Sequence, residues 1–166
     1  MINRKSLLNL ATAEYSALDI AKYFIWKSNT ESRKISNKKL QKLLYYAQAW
    51  NLVFENKPLF KEKIQAWIHG PAIQEVYREY KEFSYHPIEQ DISKIEIGSS
   101  VNLPILDQVW IAYGKFDANY LEVLTHNETP WQIAREDSEY DANSENEIDL
   151  QEMKIYYTKV YDDANT

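Results

Sequence analysis

The chain has 166 residues, a length that suits one domain able to bury its own core without disulfides or metals. It contains no cysteine, which excludes thiolate catalysis and the usual cysteine zinc sites and favours a reducing compartment. The net charge of −6 argues against nucleic-acid binding, and no apolar run approaches the ~20 residues needed to cross a bilayer. We therefore expect a cytoplasmic protein of a single domain with no membrane span.

Two helices are predicted in the first third of the chain. The first covers residues 15–29 and has apolar residues on several sides, so it is expected to be widely buried. The second begins after Ser36, a residue type that caps helices well, and continues to Phe54. Its leucines recur at three- and four-residue steps, the spacing that places them on one face.

A small β element is predicted next. The apolar run at 64–68 indicates a strand, and the imperfect alternation at 92–97 indicates a partner for it. Gly70-Pro71 breaks the first strand, and proline suits the first position of a helix, so a third helix is predicted to begin there.

The second half of the chain is predicted to be helical. One helix starts at Pro104, another is capped by Asp117, and Thr129-Pro130-Trp131 has the form of an N-cap followed by proline. The last helix carries apolar residues on one side, at Leu150, Met153, Tyr157 and Val160. The predicted fold is therefore mainly α, a single compact helical domain with a small antiparallel β element.

Charge is distributed unevenly along this domain. Residues 33–63 contain eight basic and two acidic residues, whereas 136–149 contain seven acidic residues and no basic one. We predict residues 1–14 to be an N-terminal extension and 138–147 to be a polar, acidic loop. An acidic mimic of nucleic acid is an alternative function for this segment.

The second helix carries a candidate partner-binding surface. On a helical wheel, Tyr45 lies opposite the leucine stripe, with Lys38 and Lys42 nearby and with Arg33 and Lys34 just before the helix. An exposed aromatic side chain ringed by positive charge would anchor an acidic partner. The alternative is that Tyr45 is buried under a second layer of helices.

An enzyme is the alternative from another class. Among the three histidines, His69 is the best placed for general-base chemistry, because it precedes the turn at Gly70. A histidine there more often hydrogen-bonds the turn, and the chain has no G-x-S-x-G or phosphate-binding glycine pattern. His126 with Glu128 and Asp137 matches no strong metal-ligand spacing. We expect no catalysis, no cofactor and no metal.

A resemblance to a known family rests on motifs that occur in a fixed order. They are Lys39 to Gln48 (KLQKLLYYAQ), Ala66-Trp67, and Gly70-Pro71 followed by Val76-Tyr77. This combination resembles the Panacea domain, the SocA-like antitoxin domain of toxin–antitoxin pairs and prophages. The segment 121–126, Pro130-Trp131 and residues 155–157 resemble its C-terminal half more loosely, so the similarity spans about residues 17–157.

The resemblance implies a binding role. A member of this family neutralises a cognate protein toxin by direct contact, and the family includes an adaptor that delivers its toxin to a protease, which here would be of the AAA+ type. Trp67, Gly70, Pro71 and Trp131 are the structural residues of the motif. We expect Gly70 to form a tight turn, Trp67 to pack in the core against the second helix, and Trp131 to lie in the core.

Overall fold

The computed structural model describes residues 13–93, 104–139 and 144–166. Within these ranges the chain forms seven α-helices and one two-stranded antiparallel sheet, which confirms the mainly α fold. No helix in the same ranges is long and apolar enough to cross a membrane.

The first two helices begin at serine caps. Helix α1 (Ala17–Thr30) starts with a capping box, in which the Ser16 hydroxyl accepts from the Asp19 backbone and the Asp19 carboxylate accepts from the Ser16 backbone. Helix α2 (Asn37–Glu55) is capped by Ser36, as predicted from the sequence. These caps satisfy backbone N–H groups that the first helical turn leaves without partners.

The β element differs from its prediction. Strand β1 (Gln65–Trp67) turns back at once and pairs with strand β2 (Gly70–Ala72), and helix α3 begins only at Gln74 (Gln74–Tyr80). The predicted helix start at Pro71 is therefore wrong. Gly70 adopts a positive φ of 101°, which lets the chain reverse in a two-residue turn before proline can start a helix.

The predicted pairing of β1 with residues 92–97 is not observed in the described part of the chain. Residues 92 and 93 belong to no strand, and 94–97 lie outside the described residues. On its other side β1 contacts the end of the predicted acidic loop, where the Ala66 N–H donates to the Asn146 carbonyl at 2.8 Å. Residues 140–143 of that loop are also outside the described ranges.

The remaining helices follow the predicted order. After a 3₁₀ turn at Lys81–Phe83, they are α4 (Pro104–Tyr113), α5 (Ala118–His126), α6 (Thr129–Ala134) and α7 (Leu150–Ala164). Asp117 caps α5 as predicted, whereas α6 begins one residue early, with Glu128 as its N-cap and Pro130 in its second position.

Helix α2 occupies the centre of the fold. It contacts α1, α3, α4, α5, α7 and strand β2, and fourteen of its residues are buried. Its leucines join one hydrophobic core with Phe24 of α1, Trp110 of α4 and Met153 of α7. Most of α2 is therefore covered by other elements, and several of its polar side chains point into the protein.

Candidate partner-binding site

The structure corrects the predicted orientation of two residues of α2. Tyr45 is 0% exposed and Lys42 is 2% exposed, so neither belongs to an outward surface. The ring of Tyr45 packs edge-to-face against Tyr46 and Tyr157, with centroid separations of 5.3 and 6.0 Å. The prediction of an exposed aromatic anchor at Tyr45 is wrong because α7 covers this side of α2.

The other three predicted residues lie nearer the surface. Arg33 is exposed and places its guanidinium 5.6 Å from the ring centre of Trp110, and Lys34 forms an exposed ion pair with Glu89 at 3.9 Å. Lys38 donates to Asn119 Oδ1 at 2.9 Å. Their contact with a partner remains a prediction.

A cavity of about 600 Å³ lies between α2, the β-hairpin and α3, and we call it the hairpin pocket. Its wall includes Lys38, Gln41, Lys42, Trp67, Tyr77 and Tyr85. The pocket thus brings together residues of the motif on α2 and of the motifs on the hairpin and α3. Basic and aromatic side chains share one concave surface, as in many binding sites.

Lys42, Gly70 and Pro71 meet at the base of this pocket. The Lys42 ammonium donates to the Pro71 carbonyl at 3.1 Å. A Cβ atom on residue 70 would lie 2.5 Å from Lys42 Cε and 2.9 Å from Thr125 Oγ1, so only glycine fits. Burial lowers the pKa of Lys42 to about 7, although the negative charge of Glu122 partly opposes that shift.

Glu122 of α5 links several charged groups at the tip of the hairpin. Its carboxylate pairs with Lys38 and lies 2.9 Å from His69 Nδ1 and 4.0 Å from His126 Nε2. Burial tends to raise the pKa of Glu122, but hydrogen bonds from Lys38 and His69 outweigh that effect and lower it. His69, the residue of the enzyme alternative, is 71% exposed and belongs to this ion-pair network.

The two motif tryptophans contact each other at the hairpin, and Trp67 lines the pocket. Trp67 is only partly buried and packs edge-to-face on Tyr77 at 4.9 Å, so its predicted place in the core against α2 is wrong. Trp131 is partly buried against the core, donates from its indole to the Trp67 carbonyl at 2.9 Å and stacks on His126 at 4.1 Å. Trp131 therefore links the hairpin to α6 through this hydrogen bond.

Sequence reasoning missed a buried cluster around Glu128. This carboxylate is 4% exposed and accepts hydrogen bonds from the hydroxyls of Tyr46, at 2.7 Å, and Tyr157. Tyr46 also stacks on Tyr113 with ring centres 3.8 Å apart. Burial raises the pKa of Glu128 to about 7. The thirteen tyrosines of the chain were the only sequence signal for such a cluster.

The position of Glu128 also concerns the metal site considered for His126, Glu128 and Asp137. Glu128 points into the tyrosine cluster, where its oxygens accept hydrogen bonds, rather than toward a common centre with His126 and Asp137. Across the described ranges, no group of three or more His, Cys, Asp or Glu residues is placed to hold a metal ion.

The same motifs are shared with a known protein family. The family model described as "Antitoxin SocA-like, Panacea domain" matches residues 40–132, which run from α2 through the hairpin to α6. Antitoxin SocA of Caulobacter vibrioides (strain NA1000 / CB15N) is 26% identical over 144 residues, covering 80% of this chain and 70% of that protein. No solved structure matches the chain. Because the family model covers more than half of its residues, the chain belongs to the SocA-like antitoxin family of Panacea domains.

Proposed function

We propose that this chain is an antitoxin that neutralises a protein toxin by direct protein–protein contact. The observation that carries the proposal is the family match, which supports an antitoxin role and includes both the central helix and the hairpin pocket. Family membership also supports a role without catalysis. The name of the relative, Antitoxin SocA, agrees with this role but specifies no partner.

The exposed chemistry around the hairpin pocket suits a protein partner. Tyr85 is 80% exposed and lines both the hairpin pocket and a shallower neighbouring pocket that contains Arg33, Lys34 and Lys115. A few tyrosine, tryptophan and arginine side chains supply most of the affinity in protein interfaces of roughly 1,600 Å². We place the toxin contact on this side of the molecule, with Tyr85 as its aromatic anchor.

The proposal is tested by co-expressing the chain with a growth inhibitor encoded by a neighbouring gene. We expect growth to be rescued and the two proteins to co-purify. Tyr85→Ala should weaken the complex without lowering the melting temperature, because this side chain is largely solvated in the free protein. Tyr161→Ala, at a 42% exposed tyrosine on α7, is the matched control. Rescue without any detectable complex would contradict direct neutralisation.

The same cells separate blocking from delivery to a protease. If the antitoxin blocks the toxin, the amount of toxin stays constant after synthesis is stopped while growth continues. If it acts as an adaptor, the toxin disappears, and deletion of an AAA+ protease restores it. Both outcomes require the complex, so either one is compatible with direct contact.

The enzyme alternative centred on His69 has its own test. His69→Gln removes the imidazole but keeps a side chain able to bond Glu122 at the hairpin tip. We expect neutralisation to remain and the melting temperature to change little, since this side chain is mostly exposed. A folded His69→Gln variant without neutralising activity would support catalysis instead.

A further inference from the structure

Lys42 is a buried amine whose hydrogen-bonding capacity is only partly used. Its ammonium has three hydrogens to donate, and among the described residues its one hydrogen bond is to the Pro71 carbonyl. No carboxylate in the described ranges forms an ion pair with it, because Glu122 pairs with Lys38, His69 and His126 instead. Buried charges are normally paired, since an unpaired one loses its hydration without compensation.

The fold alone gives little reason for a lysine at this position. A methionine has a similar length and would fill the space beside Gly70 without a charge to desolvate. The hydrogen bond to Pro71 stabilises the fold only modestly compared with the free-energy cost of burying an ammonium group. Residues that weaken a fold in this way are often retained for binding.

The pocket around Lys42 has the features of a subsite for one acidic side chain. Trp67 and Tyr77 provide aromatic walls, and Lys81 adds positive charge. Lys38 is already paired with Glu122, and Glu145 is the single carboxylate in the described lining. One buried ammonium matches one carboxylate. A nucleic acid would instead bring many phosphates toward a chain with a net charge of −6.

We propose that the hairpin pocket receives a carboxylate side chain of the partner protein, which pairs with Lys42 between Trp67 and Tyr77. This inference rests on the proposed function, because the partner is the toxin. The incoming carboxylate supplies the direct ion-pair partner that Lys42 does not have among the described residues of the free antitoxin. It also raises the pKa of Lys42, since a nearby anion favours the protonated amine.

The first test compares purified Lys42→Met with the unmodified antitoxin, both alone and in complex with the co-expressed toxin. We expect the melting temperature to stay the same or rise, and affinity for the toxin to fall at least about tenfold, as for other buried interface charges. Lys159→Met, at an exposed position on α7, should change neither quantity. Retained affinity overturns the proposal, and so does a fall in melting temperature, which would show that Lys42 serves the fold.

The second test needs no toxin. N-acetylglutamate amide and its neutral counterpart N-acetylglutamine amide are titrated into the antitoxin while the ε-methylene resonance of Lys42 is followed by NMR. The resonance is identified by its loss in Lys42→Met. We expect only the carboxylate probe to shift this resonance and to raise the pKa of Lys42. Equal shifts with both probes, or none up to the solubility limit, overturn the subsite.

The two experiments also separate this inference from the proposed function. If the carboxylate probe binds at Lys42 but no complex with the toxin forms, direct neutralisation fails and the carboxylate site stands. If the toxin complex forms and Lys42→Met leaves it unchanged, the proposed function stands and the assignment of Lys42 fails.

Discussion

At the scale of single residues, Glu128 shows how a carboxyl group is kept inside an aromatic cluster. Its oxygens accept from Tyr46 and Tyr157, and these bonds favour the ionised form. Burial works in the opposite direction and dominates, so the pKa rises to about 7. The folded protein therefore retains a proton on Glu128 that the unfolded chain releases at a lower pH.

This difference predicts a pH dependence of stability. Between pH 4.5 and about 7 the unfolded chain loses this proton first, so the contribution of Glu128 to the free energy of unfolding falls as the pH rises, by up to about 3 kcal/mol. Glu128→Gln should flatten this fall when urea midpoints are compared at the two ends of the range. Glu136→Gln, at an exposed glutamate, should retain the fall. An unchanged slope in Glu128→Gln would disprove the assignment.

Gly70 allows a prediction about two residues that touch. Gly70→Ala should lower the free energy of unfolding by about 2 kcal/mol, because its Cβ overlaps Lys42 Cε and the positive φ disfavours any L side chain. In a Lys42→Ala background the overlap with Cε is gone, and the cost should fall to that of the backbone strain and the contact with Thr125. Chemical unfolding of the four proteins measures this coupling. Equal costs in both backgrounds would contradict the contact.

At the scale of elements, the polar side chains of α2 hold the surrounding loops. Lys39 donates to the Gly114 carbonyl, Gln41 accepts from the Ile73 N–H, and Asn51 donates to the Lys57 carbonyl. Each bond satisfies a backbone group that lies outside regular secondary structure. A buried polar residue is tolerated when its hydrogen bonds are made. The central helix thus organises the irregular segments as well as the core.

Gln48 offers the cleanest test of this role. Its amide accepts from the Leu59 N–H at 2.7 Å and donates to the Phe60 carbonyl at 2.9 Å. Gln48→Leu leaves both buried groups without these partners and should lower the free energy of unfolding by about 3 kcal/mol. Gln108→Leu, on the exposed side of α4, should have little effect on the urea midpoint. Similar midpoints for the two variants would refute the role.

The sequence predicted elements better than it predicted their environments. Ser36 and Asp117 marked helix starts correctly, because capping is a local interaction between a side chain and its own first turn. The outward direction of Lys42 and Tyr45 was predicted wrongly, because a helical wheel does not reveal that α7 and the hairpin cover the polar side of α2. The hairpin itself was missed because Gly70-Pro71 suits a helix start as well as a reversal.

At the scale of the whole molecule, charge is segregated despite the net negative total. Arg33, Lys34 and Lys115 line the pocket next to the hairpin pocket, with Tyr85 between the two. The end of α7, with Asp162 and Asp163, contributes negative charge elsewhere, and Glu145 is the one carboxylate in the described lining of the hairpin pocket. Such a distribution orients an approaching partner before contact.

This segregation predicts a rate effect on toxin binding. Replacing Arg33 and Lys34 together by Glu should slow association by about tenfold at low salt and weaken its dependence on salt, while dissociation changes little. These side chains are exposed, so their charges act mainly during approach. Lys159→Glu should have a smaller effect, and stopped-flow mixing at several salt concentrations measures all three proteins. A change confined to dissociation would argue against steering.

The position of Trp67 gives the protein an optical signal of its own. This indole is partly solvated and lines the hairpin pocket, whereas Trp110 is buried; Trp26, Trp50 and Trp131 are also partly buried but do not line that pocket. Indole emission moves to shorter wavelengths when water is removed and to longer wavelengths when water enters. A partner seated in the pocket would therefore shift the emission to the blue, and unfolding would shift it to the red. The direction of the emission shift therefore distinguishes binding from denaturation in one unlabelled sample.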